Sequence, residues 1–224
     1  VDKEIGFIAH RKNFEFIMGL KNEIRIINLK TKKIIKSIEV KDYRYNRIND
    51  GKVDCEGNVW FGTMDENERG INSGSLFCFI KKNRLIKIDK NYITPNGPAF
   101  INKNQFYFTD SKKKIIYKIK HNNFKITQKK IFKKFNKNLK MTPDGMTLDK
   151  FENLWVCFFR GFCVKVYNKY AKQIYNIDFP VKNITSCTFG DKDLDKLYFT
   201  TARKLMSTFE LKKYHLSGSL FSVD

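Results

Sequence analysis

The chain has 224 residues, with 44 Lys and Arg against 23 Asp and Glu, a formal net charge of +21. Its 42% hydrophobic and 15% aromatic content can bury a core, which excludes a disordered chain; four prolines and twelve glycines exclude a collagen-like or linker-like one. The basic excess is spread along a sequence rich in Lys, Asn and Ile, so it does not by itself indicate nucleic acid or an anionic membrane.

The first unit is IGFIAHRKNFEFIMGL (5–20), followed by EIRIINL (23–29) and KIIKSIEV (33–40). Four more units begin at NDGKVDCEGNVWFGTMD (49–65), PNGPAFINKNQFYFTDS (95–111), PDGMTLDKFENLWVCFF (143–159) and TSCTFGDKDLDKLYFTTAR (185–203). Each reads as a turn with Gly, an apolar strand, a polar turn and an aromatic-rich strand. A third strand follows in each: GSLFCFI (74–80), KIIYKIK (114–120), FCVKVYN (162–168) and GSLFSVD (218–224). Most units add a fourth, more charged strand. The alternation has period 2, and Gly, Asn, Asp and Lys mark the turns.

From Gly6 to Gly51, Gly97, Gly145 and Cys187, successive copies lie 45, 46, 48 and 42 residues apart. A period of roughly 40–50 residues with four strands per unit is the signature of a β-propeller. The expectation is one all-β propeller domain over residues 1–224, with a helical turn in FELKKYH (209–215) at most. The last unit stops after its third strand. In a closed ring the missing strand would come from the N-terminus.

Five cysteines, at 55, 78, 157, 163 and 187, form no C-x-x-C and are odd in number. Free thiols in a reducing compartment fit this better than a disulfide framework or a zinc ribbon. The longest apolar run, Leu154 to Phe159, is far below the ~18 residues that span a bilayer. A cytoplasmic monomer with no membrane partner is expected. Trp60 and Trp155 occupy matching repeat positions and read as inter-blade core, as do Cys157, Cys163 and Cys187. The densest basic stretch, QKKIFKKFNKNLK (128–140), reads as an outer strand and loop with Phe132 and Phe135 packed inward, so no nucleic acid is expected as partner.

The residue before each anchor is Asp50, Asn96, Asp144 and Ser186. The innermost strand of a blade lines the central channel, so these positions converge on one tier. Three oxygen donors in one register suit a hard divalent cation. Each alone also reads as a turn, since N-D-G, P-N-G and P-D-G are good turn sequences. Arg47 and Asn49, just before the first of them, are placed to hold hydroxyls or a carboxylate.

These residues also carry a resemblance. The segments N-R-I-N-D-G-K-V-D and W-F-G-T-M-D, T-P-N-G-P-A-F, F-Y-F-T-D-S, P-D-G-M-T-L-D, N-L-W-V, T-S-C-T-F-G, L-Y-F-T-T-A-R and G-S-L-F, in that order, resemble the regucalcin/gluconolactonase family of sugar lactonases. The resemblance implies a six-bladed propeller with one divalent metal in its channel, Ca²⁺ first among Ca²⁺, Zn²⁺, Mn²⁺ and Mg²⁺. It implies Asn96 and Asp144 as metal ligands, with Asp144 also the general base; Asp50 is an additional candidate from its register in the repeats. Arg47 and Asn49 would contact the lactone. The implied activity is metal-dependent hydrolysis of a sugar-acid lactone.

Three departures qualify it. The family's ligand Glu, in a G-E-G-P-like motif of its first blade, has no counterpart, and Glu4 is not one. About five blades are therefore expected, with the first one missing ahead of Val1. The register of Asp65, Glu66 and Asn67 against a substrate-contacting Glu is open. Pro98 stands for a more usual Leu and is expected at the start of a strand. The alternative is a non-catalytic or calcium-binding scaffold, inactive for want of the first blade and its Glu.

Overall fold

The computed structural model describes residues 3–81 and 83–223. Blade 1 comprises β1 (Ile5–Lys12), β2 (Glu15–Leu20), β3 (Glu23–Asn28) and β4 (Lys33–Glu39). Blade 2 comprises β5 (Asn46–Val53), β6 (Val59–Asp65), β7 (Gly74–Ile80) and β8 (Arg84–Tyr92). Blade 3 comprises β9 (Pro95–Asn102), β10 (Gln105–Asp110), β11 (Ile115–Asn122) and β12 (Lys125–Lys134). Blade 4 comprises β13 (Thr142–Leu148), β14 (Leu154–Phe159), β15 (Cys163–Tyr167) and β16 (Gln173–Asp178). Blade 5 comprises β17 (Ile184–Gly190), β18 (Lys196–Thr201) and β19 (Leu220–Val223). Each sheet is an antiparallel meander, four-stranded in blades 1–4 and three-stranded in blade 5 among the described residues. The last residue of the expected strand 218–224, Asp224, lies outside the described residues.

The first strand of every blade is an inner one. β1 packs on β5, β5 on β9, β9 on β13 and β13 on β17, while β17 and β1 do not pack together in this way. The molecule is thus a five-bladed propeller arrangement whose inner-strand series is open between blades 5 and 1. Its helix is α1 (Thr208–Lys213), one residue earlier than expected, with Ser207 and Glu210 forming a capping box.

The second strands of blades 2, 3 and 4 are apolar on both faces, because each of these blades is buried between two neighbours. Along β6, Val59 and Phe61 join the core shared with blade 1, whereas Trp60 joins the core shared with blade 3. This is why V-W-F is a continuous apolar run and not an alternation. Four such cores separate the five blades. Trp155 packs in the core between blades 4 and 5. Cys78, Cys157, Cys163 and Cys187 are buried free thiols and Cys55 an exposed one. Phe132 and Phe135 pack inward between blades 3 and 4, beneath the basic stretch.

The two Trp positions share a further device. Asp54 accepts the backbone N–H groups of Glu56 and Asn58 and the side-chain donors Asn58 Nδ2 and Trp60 Nε1, all at 2.8–2.9 Å. Asp149 does the same with Phe151, Asn153 and Trp155. The D-x-x-x-N-x-W spacing therefore closes the hairpin between the first two strands of blades 2 and 4 and fixes the indole by its one donor.

Candidate functional site

N-D-G, P-N-G and P-D-G are not turns between strands. They lie within β5, β9 and β13, where the pairing register shifts: between Ile48 and Gly51, between Asn96 and Ala99, and between Pro143 and Met146. β1 and β17 shift register at the same level, beside Gly6 and Thr185. Bulges re-aim side chains at strand edges, and here each inner strand is bulged at the register of its anchor residue. Asx residues favour bulges for the same local reason that they favour turns, which is why the sequence does not separate the two. Gly97 requires glycine, since its φ is +87°. At Gly145 a Cβ would stand 2.6 Å from the Thr185 carbonyl of the neighbouring inner strand. Pro98 lies inside β9, not at its start. It is tolerated because β9 is an edge strand and Pro98 falls in the bulge, where no ladder N–H is needed.

Arg47, Asn49, Asp50, Asn96 and Asp144 all line one channel cavity of about 670 Å³. Hydrogen bonds join Arg47, Asn49 and Asn96 in a chain, and Asp50 bonds to the backbone beside Asn96. Arg47 Nη1 donates to Asn49 Oδ1 at 2.9 Å, and Asn49 Nδ2 donates to Asn96 Oδ1 at 2.9 Å. Asn96 Nδ2 donates to Ser111 Oγ at 2.7 Å, and Asp50 Oδ2 accepts Gly97 N–H at 2.8 Å. The buried Asp110 accepts the N–H groups of Ile93 and Thr94, which holds the strand entry that carries Asn96. Asp144 shares the cavity wall but none of these bonds.

The two carboxylates are electrostatically strained. Burial, then the charge of Asp50, raises the Asp144 pKa well above the ordinary carboxylate value; Gly145 N–H and Lys204 act against this. Burial also raises Asp50, opposed by Gly97 N–H, by Lys52 and by Gly51 N–H. An oxygen-only set with two carboxylates close enough to repel each other fits a hard divalent cation, whose charge would relieve that repulsion. Among the described residues no group of three His, Cys, Asp or Glu gathers at one point.

Three residues at the channel, Lys52, Glu68 and Lys204, were not singled out from sequence. Lys52 donates across the channel to the carbonyls of Met146 at 2.5 Å and Cys187 at 3.0 Å, joining blades 2, 4 and 5. Its place two residues after Asp50 was the available signal. Glu68, not Asp65, Glu66 or Asn67, is the carboxylate of its segment that lines the cavity. Asp65 is held by Arg69 and Glu66 by Lys21. Lys204, from blade 5, reaches Glu68 across the mouth, and Arg47 approaches the same carboxylate at 3.7 Å. Lys52→Met is expected to cost about 1–3 kcal/mol, because two buried carbonyls lose their donor and Asp50 loses a nearby cation. Thermal denaturation checks this; an unchanged midpoint would show that the cross-channel tie contributes nothing.

Comparisons with known proteins agree with this fold. The family model described as SMP-30/Gluconolactonase/LRE-like region matches residues 1–203. Rabbit (Oryctolagus cuniculus) regucalcin is 27% identical over 235 residues, covering 100% of this chain and 77% of the relative. The Bacillus subtilis protein named "Putative sugar lactone lactonase YvrE" is 31% identical over 221 residues, covering 96% of this chain and 75% of the relative. The crystal structure of a calcium-binding protein, regucalcin, from Agrobacterium tumefaciens superposes with a TM-score of 0.91 at 20% identity, covering 100% of this chain and 76% of that one. A Xanthomonas campestris gluconolactonase superposes with a TM-score of 0.63 at 18% identity, covering 83% of this chain and 65% of that one. No helix among the described residues is long and apolar enough to cross a membrane.

Proposed function

The chain belongs to the SMP-30/Gluconolactonase/LRE-like family, and from that premise we propose that it hydrolyses a sugar-acid lactone in the channel cavity with the help of a divalent metal. The observation that carries this reading is the gathering of Asp144, Asn96, Asp50, Arg47 and Asn49, from three blades, on one channel cavity. Asn96 and Asp144 would hold the cation, with Asp50 close by. Ca²⁺ is the first candidate, by analogy with the calcium-binding relative, ahead of Zn²⁺, Mn²⁺ and Mg²⁺. Once bound, it would polarise the lactone carbonyl and stabilise the oxyanion.

The chain's own residues do the rest. Asp144 lines the cavity wall, so it is placed to take a proton from the attacking water. As the ring C–O bond breaks, Asp144 returns that proton to the departing alkoxide, and the open hydroxy acid leaves. Arg47 is held by Asn49 and faces the cavity, so it can clamp substrate oxygens. Asn49 keeps Asn96 Oδ1 oriented through its own amide.

A pH-stat assay of glucono-1,5-lactone opening, with and without chelator, tests the reading. Rate should fall to the uncatalysed level in chelator and return with Ca²⁺ or another divalent cation. Arg47→Ala should raise KM more than it lowers kcat, because a clamp binds ground state and transition state alike. Full activity in chelator would overturn the mechanism. One second reading is a binding scaffold, because among the described residues no three His, Cys, Asp or Glu side chains gather at one point: cation binding by calorimetry without any lactone opening would establish it.

A further inference from the structure

The cavity is larger than a single sugar ring needs, and its charge is segregated. Its acids, Asp50, Glu68 and Asp144, come from β5, from the β6–β7 connection and from β13. Its rim on blades 3 and 4 is cationic: Lys112 and Lys114 in the β10–β11 turn, Lys137 and Lys140 in the β12–β13 connection, and Arg160 in the β14–β15 turn. A second hollow of about 450 Å³ shares Lys112, Lys114 and Lys137, and no carboxylate lines it.

The remaining cations of the cavity have partners. Lys204 and Arg47 share Glu68, and Lys114 donates to the carbonyls of Lys137 and Leu139. Lys112, Lys137, Lys140 and the Arg160 guanidinium have no anionic partner among the described residues. Elsewhere on the surface, lysines do find acids: Lys87 with Asp42, Lys129 with Asp89 and Lys182 with Glu210. Like charges crowded at the edge of a concave, low-dielectric site repel one another and raise the local concentration of anions. The arrangement suits a small molecule with its reacting carbonyl at Asp144 and a negative group at its other end.

We propose that the lactone taken by this site carries an anionic group remote from its carbonyl, either a phosphate monoester or a second carboxylate, and that Lys112, Lys137, Lys140 and Arg160 receive it. This rests on the lactonase reading above and adds the substrate class. Point-charge ammonium groups bind such anions without demanding one bidentate geometry, so either source is compatible with the same residues.

The test is calorimetric binding of the hydrolysed acids to the intact chain at about 150 mM salt, where exposed charges are screened beyond ~8 Å. Gluconate, glucarate and 6-phosphogluconate are the probes. At least one of glucarate and 6-phosphogluconate, each with a second anionic group, should bind tenfold or more tightly than gluconate, and which one does so identifies the group. A Lys137→Ala/Lys140→Ala double variant should bring the three affinities together, whereas Lys130→Ala on the outer strand β12 should not. Equal affinities for all three probes, no binding by any, or a preference that survives the double variant would overturn the proposal. Preference for a probe with the second anionic group, without opening of the corresponding lactone, would leave the anion site standing and remove the lactonase reading. Opening of glucono-1,5-lactone without any preference would do the reverse.

Discussion

Asp144→Asn should lower the rate of lactone opening by about 10²–10⁴-fold, the usual cost of losing a general base, and should at the same time stabilise the metal-free protein. The amide keeps a ligand oxygen but cannot accept the proton of the attacking water. It also removes a negative charge that burial and Asp50 both disfavour. The pH dependence follows from the direction of the shift. The folded pKa of Asp144 lies above its ordinary value of 3.8. The contribution of the protonated carboxyl is therefore fully present below that value and is lost as pH rises through the folded pKa. In chelator, wild type and Asp144→Asn should melt alike below pH 3.8, and the variant should melt higher near neutral pH. Each kcal/mol relieved moves the midpoint by roughly 2–4 °C in a chain of this size. A wild-type rate in the variant, or a stability gap that does not change with pH, would show that Asp144 is neither the base nor a strained charge.

The largest loss of stability is expected at Trp60. Its side chain is fully buried between blades 2 and 3, against Phe100, Phe106, His121 and Phe124. Trp60→Ala should cost about 3–5 kcal/mol, as large-to-small changes in cores do, and also strips Asp54 of one of its four donors. Trp155→Ala, at the same place in its repeat, should cost less. Trp155 is half-buried, and among the described residues the one aromatic ring it meets is Phe189, at 5.8 Å. Urea or thermal unfolding of the two variants side by side checks this. Equal losses would mean that the Asp–Asn–Trp hairpin clasp, common to both, and not the inter-blade packing, sets the stability at these positions.

The repeat near 46 residues, the strand order inside each unit and the inter-blade placement of the Trp residues were all legible in the chain. Each depends on local alternation and turn chemistry, which a single stretch of sequence carries. The shared register of Asp50, Asn96 and Asp144 was legible for the same reason, because a repeat that recurs in sequence recurs around an axis. Three things needed the packed blades. Whether N-D-G is a turn or a bulge depends on the partner strand, not on the Asx-Gly pair. Lys52 and Lys204 act on residues of other blades, 94 or more positions away in the chain, and no local pattern reports such a contact. Glu68, not Asp65 or Glu66, enters the cavity because Arg69 and Lys21 hold the other two elsewhere. The chain thus specifies its blades one repeat at a time through short-range periodicity. The channel's charge pattern arises only when loops from different blades meet, since long-range electrostatics depends on distances that sequence separation does not encode.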